Sequence, residues 1–199
     1  MLSERDRTLE LTPTRERILR AAREVFERNG TRGTTTREVA DRAGVNEATL
    51  FRHFHNKTSL LDAMREWSID LAGYDVVFDG LTGELANDLR AICTTLYERM
   101  MPNQAIIRIS LAEEATVPEQ VPSCLRGPTV IRERLASYLQ GHIDSGAVRG
   151  NAMQLAAIIV GMTFALVVKS SRVDWGDEAS PKKIIPAFVD VLLNGVKSE

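Results

Sequence analysis

A chain of 199 residues with 44% apolar and 26% charged side chains lies in the ordinary range for a globular protein, and it is long enough to bury a core without staples. Its two cysteines, Cys93 and Cys124, stand in no CxxC or CxxH pair, and the N-terminus has no apolar signal-peptide core. These features argue against a disulfide scaffold, a zinc cluster and a secreted protein, so a cytoplasmic location is expected. The net charge of −2 divides into +3 over residues 1–61 and −5 over 62–199, a basic front on an acidic body that suits a polyanionic partner.

Residues 1–13 are polar and unpatterned and are expected to form a flexible arm. Thr14 is the expected N-cap of the first helix, "RERILRAAREVFERNG", in which Ile18, Ala22, Val25 and Phe26 share one face and Asn29-Gly30 supplies the stop. Further helices are predicted over about 36–42, 47–51 and 56–72. A linker follows at 73–83. Five more helices are then predicted, over about 84–100, 104–115, 126–144, 152–172 and 181–196, separated by Pro102, Pro118 with Pro122, Gly146 with Gly150, and the 176–181 stretch. No strand alternation or internal repeat is visible. The expected fold is all-α, with about nine helices. The most apolar run, 152–168, falls short of the roughly 20 residues a bilayer requires.

The stretch "TTTREVADRAGVNEATLFRHFHNKTSLL", residues 34–61, carries the chemistry. Ala40 allows a close helix crossing, Gly44 accepts a left-handed turn, and Val39, Val45 and Leu50 can close a core with the first helix. This is the spacing of a helix-turn-helix. It leaves Asn46, Glu47, Thr49, Arg52 and His53 on an outer face suited to base edges in a major groove. Thr36 is expected to cap the second helix and present its N–H groups to a phosphate, with Arg37 behind it and Lys57 at the start of the fourth helix. Phe54 reads as core. Phe51 reads either as core or as a half-exposed ring against the sugar-phosphate backbone. His53 and His55 are two residues apart and diverge on a helix, so no metal is expected. A helix-turn-helix used for protein contact alone is the competing reading of this stretch.

The passage "TRERILRAAREVFERNGTRGTTTREVADRAGVNEATLFRHFHNKTSLL", residues 14–61, resembles the DNA-binding domain of the tetracycline-repressor (TetR) family of bacterial transcription regulators. Two departures stand out. Phe51 occupies a position where the family usually has tyrosine, and "NEA" at 46–48 replaces a common serine and glycine. Glu47 therefore places an acid on the DNA-facing side, where it either accepts from a cytosine N4 amino group or turns outward.

For residues 62–199 the resemblance implies a divergent helical domain that binds a small effector and dimerises through its last two helices. The residues argue the same way. Ala157, Gly161 and Ala165 recur every four positions, and Phe188, Val191 and Leu192 belong to an apolar last helix, so two subunits could pair them in a four-helix bundle. Candidate effector contacts are Tyr97, Met100, Met101, Arg108, His142 and Phe164, each with a plainer reading: Met pairs often fill cores, and Arg108 can face solvent or pair with a nearby glutamate such as Glu113. No nucleophile motif, P-loop or dinucleotide fingerprint occurs, so no catalytic residue and no cofactor are expected. The expected protein is a homodimeric repressor of a double-stranded operator, released by a small apolar or amphipathic effector. The competing classes are a constitutive or non-specific DNA binder and an enzyme with a fortuitous helix-turn-helix.

Overall fold

Thr12, not Thr14, starts the first helix. In the computed structural model, which describes residues 12–114, 126–169 and 176–195, α1 runs Pro13–Gly33. The Thr12 Oγ1 accepts the Arg15 N–H at 3.3 Å, and Pro13 takes the first helical position, where its missing N–H costs nothing. Residues 12 and 13 thus belong to the helix, and the rest of the expected arm lies outside the described residues. Gly30, with φ +66°, breaks α1 where Asn29-Gly30 was read as the stop, and one further turn carries it to Gly33.

The expected helix-turn-helix follows. α2 spans Thr36–Ala43, α3 Glu47–Phe54 and α4 Lys57–Ala72. Gly44 sits in the left-handed region at φ +65°. There its N–H reaches the Asp41 carbonyl at 3.2 Å, and the Val45 N–H reaches the Ala40 carbonyl at 3.0 Å. These are the paired bonds of a Schellman ending, which only a residue tolerant of positive φ allows. Asn46 and Asn56 then cap α3 and α4. Ile18, Leu19, Ala22, Val25 and Phe26 of α1 close over Val39, Ala40, Leu50, Phe54, Leu60, Leu61 and Met64 to form the core of this head.

The predicted linker is partly structured. A 3₁₀ turn at Tyr74–Phe78 buries Val77 against α5, Leu85–Met100. A second 3₁₀ turn, Met101–Asn103, replaces the sharp break expected at Pro102 and leads into α6, Gln104–Glu114. α7, Arg126–Asp144, packs on α8, Ala152–Val168, and α9, Pro181–Asn194, packs on α5. Nine α-helices and no strand occur among the described residues. Cys124, Pro118, Pro122 and the expected 170–172 end of α8 lie outside them. No helix of the described residues is long and apolar enough to cross a membrane.

One buried carboxylate locks the start of the body. Asp88, 2% exposed, accepts from the Thr82 and Gly83 N–H groups at 2.8 Å each, from the Thr82 hydroxyl at 3.0 Å and from the Tyr138 hydroxyl at 2.7 Å. Burial alone would raise its pKa, but these donors outweigh it and bring the group from 3.8 down to about 2. The unfolded chain therefore holds this proton more tightly than the folded one. The stabilisation is complete above pH 4 and is lost between pH 4 and pH 2. Urea titrations across that window are expected to show a falling unfolding free energy that is shallower in Asp88→Asn; equal slopes in the two proteins would refute the assignment.

Candidate nucleic-acid interface

The N-terminal turns of α2 and α4 flank the outer face of α3. Thr36 does not cap α2. The cap is Thr35, whose Oγ1 accepts the Glu38 N–H at 3.2 Å, and Thr36 sits one position inside the helix. Its hydroxyl donates instead to Glu47 Oε1 at 2.9 Å, which ties the first turn of α2 to the first turn of α3. The Glu47 carboxylate is exposed and lies at the N-terminus of α3, where the helix dipole favours it. Arg37 is exposed and forms no ion pair among the described residues. Asn46 spends its Oδ1 on the Thr49 N–H at 2.7 Å, leaving its amide nitrogen free to donate outward.

Farther along α3, Phe51 is 40% exposed while Phe54 is buried, which decides between the two readings of Phe51 in favour of the half-exposed ring. Arg52 is exposed. His53 is half-buried, and burial, followed by the charges of Arg52 and Arg15, lowers its pKa, so near neutral pH it offers a hydrogen-bonding imidazole rather than a charge. Lys57 extends from the first turn of α4, where its ammonium makes one long hydrogen bond of 3.4 Å to the Arg32 carbonyl.

Two participants had escaped the sequence reading. Ala48 is exposed between Glu47 and Thr49 and offers a methyl group to the same surface. Arg15 donates to the His53 carbonyl at 3.0 Å and stacks its guanidinium 4.3 Å from the Phe54 ring centre, so a cation from α1 seats the C-terminal end of α3. Nothing local marks Arg15, because its hydrogen-bond partner His53 is 38 residues away.

In the body, the six candidate effector contacts take different places around the core. Met100 is wholly buried in the body core, in phase with Leu89, Ile92, Cys93 and Leu96 on one face of α5, and Tyr97, Met101 and Phe164 lean on that core. His142 packs its ring 4.9 Å from that of Tyr138. Arg108 is half-buried, but Glu113 receives Thr31 and Arg65 in the place expected for it. None of the six lines the cavity of about 290 Å³ between α1, α4 and α5, or the cavity of about 340 Å³ at the far end of the body. Of the six candidate dimer residues, Ala157, Gly161, Ala165 and Val191 are exposed, whereas Phe188 and Leu192 pack partly against their own core. Ile158, 52% exposed, and Met153 continue the uncovered face of α8.

Residues 18–64, almost the whole head, match a family model described as bacterial regulatory proteins, tetR family. The HTH-type transcriptional regulator YvkB of Bacillus subtilis is 32% identical over 95% of this chain and 100% of its own length. The HTH-type transcriptional repressor KstR2 of Rhodococcus jostii is 26% identical over 92% of this chain and 91% of its own. Among solved structures, the fatty acid degradation regulator FadR from Bacillus halodurans superimposes with a TM-score of 0.73 at 15% identity, covering 94% of this chain and 98% of that one. With its head matched by the family model and a relative at 32% identity aligned along its full length, the chain belongs to the TetR family of transcriptional regulators.

Proposed function

We propose that this regulator is a repressor that holds a palindromic operator as a homodimer and releases it when a small apolar or amphipathic effector enters the body. Residues 14–61 would supply the DNA-binding unit and residues 62–199 the effector site and dimer contact. The observation that carries the reading is the outer face of α3, which no part of the described chain covers. Glu47, Ala48, Phe51 and Arg52 all stand exposed there, and Arg37 is exposed on the first turn of the neighbouring α2. Arg37 would contact phosphate or a guanine edge, and Lys57 a phosphate. With one Glu47 oxygen held by Thr36, the other is available to a cytosine amino group. Thr49, Asn46 and His53 complete the hydrogen-bonding surface, and the Phe51 ring would lie against the sugar-phosphate backbone.

A two-fold dimer spaces two such surfaces about 34 Å apart, one turn of duplex. The uncovered stripe on α8 is the surface proposed to bring the subunits together. An effector that changes operator affinity about 100-fold needs about 2.7 kcal/mol of coupling, an ordinary allosteric free energy. Gel shifts on the operator are the test. Arg37→Ala and Lys57→Ala are each expected to weaken binding. Lys57→Ala should do so equally on all sequences and lower the log-log salt slope by about one. Unchanged affinity in both variants would remove this docking.

A further inference from the structure

The cavity of about 340 Å³ at the end of the body remote from the head has an uneven chemistry. Leu89 of α5, Leu139 of α7, Leu155 and Ile159 of α8 and Leu192 of α9 line it, with the backbone of residues 146–148 at its edge. Arg149 is the one charged side chain in that lining. It is exposed and forms no ion pair among the described residues. Its position is not left to a loose loop. The His142 carbonyl accepts from the Ala147 and Val148 N–H groups at 3.0 and 3.1 Å, and the chain enters α8 directly after Asn151. Arg149 therefore lies just before the N-cap of α8 and lines the edge of an aliphatic hollow.

We propose that this cavity binds an aliphatic carboxylate, its chain among the leucines and its head group on Arg149. A neutral hydrocarbon would leave the arginine unused, and a short acid would leave the leucines bare. A guanidinium matches a carboxylate with two parallel hydrogen bonds, and a single cation suits a monoanion better than a dianionic phosphate. The inference deepens the effector reading above, and it rests on that reading only for its consequence at DNA.

Calorimetric titration of the full chain with decanoate, decanol and acetate tests it. Wild type is expected to bind decanoate saturably and to give no heat with acetate. Arg149→Gln, a change on an exposed residue, should weaken decanoate by about tenfold or more and leave decanol unchanged, because a hydrogen bond to a charged group is worth about that factor. Absence of saturable decanoate binding, or equal decanoate affinity in Arg149→Gln and wild type, would overturn the site. Fluorescence anisotropy of a labelled operator, titrated with decanoate, separates the two readings. Decanoate that binds through Arg149 yet leaves DNA bound sinks the effector role and keeps the site. Release that ignores the Arg149 substitution sinks the site and keeps the effector role.

Discussion

Gly161→Leu is expected to leave the subunit folded and to break the dimer. Gly161 lies on the uncovered face of α8, and a Cβ built there meets nothing within 4 Å. Within one subunit, leucine is therefore sterically free, and it favours the helix over glycine by about 0.5–1 kcal/mol. The proposed two-fold contact reverses that sign. Ala157, Gly161 and Ala165 let a second α8 approach closely, and a branched side chain at the centre of that stripe holds the helices apart. A monomer offers DNA one α3 at a time and loses the gain from bivalent attachment, about 10²–10⁴-fold in operator affinity. Sedimentation velocity and anisotropy on the same samples measure both effects. Gly141→Leu, on α7, also has open space at its Cβ and serves as the control for a change in helix propensity alone. A Gly161→Leu protein that sediments as a dimer with wild-type operator affinity would rule out this face as the interface.

The head was legible because its signals are local. Gly44 follows Ala40 at the right interval, asparagines precede both α3 and α4, and the apolar period of α1 is regular. The slips there have a common cause. Thr34, Thr35 and Thr36 are chemically equivalent cap candidates, yet each does a different job: Thr34 is buried with its hydroxyl on the Gly30 carbonyl at 2.7 Å, Thr35 caps α2, and Thr36 holds Glu47. Only the path of the chain at Gly30 decides which is which. The body was legible as helices but not as an arrangement. In "AIIRISLA", three isoleucines lie around one helix, and periodicity alone gives no direction. In the structure Ile107 joins the body core, whereas Ile106 and Ile109 face the head. The cavities are less legible still, since a void is what remains after neighbouring side chains have packed.

That division of α6 sets the second large effect. Ile106, 2% exposed, sits within the head core alongside Phe26 of α1 and Met64 of α4. Polar contacts surround it. Asn103 donates to the Ser68 carbonyl at 2.9 Å, Glu113 accepts from the Thr31 N–H at 3.1 Å and from its hydroxyl at 2.5 Å, and Arg65 lies 3.6 Å from the same carboxylate. The Arg23 guanidinium donates to the Pro102 carbonyl. A displacement of α6 must therefore carry α1 and α4 with it. Ile106→Ala removes the apolar centre of this clamp and is expected to cost about 2–5 kcal/mol, the range for truncating a buried isoleucine. The loss should be uneven, because Ile107 and the body core keep their contacts. Hydrogen exchange is expected to accelerate in α1 and α4 while α5, α7 and α8 stay protected. Glu113→Gln, which keeps an acceptor for Thr31, should give a smaller change of the same kind. Protection lost equally in head and body, or not lost at all, would mean that Ile106 is not the joint through which the two halves communicate.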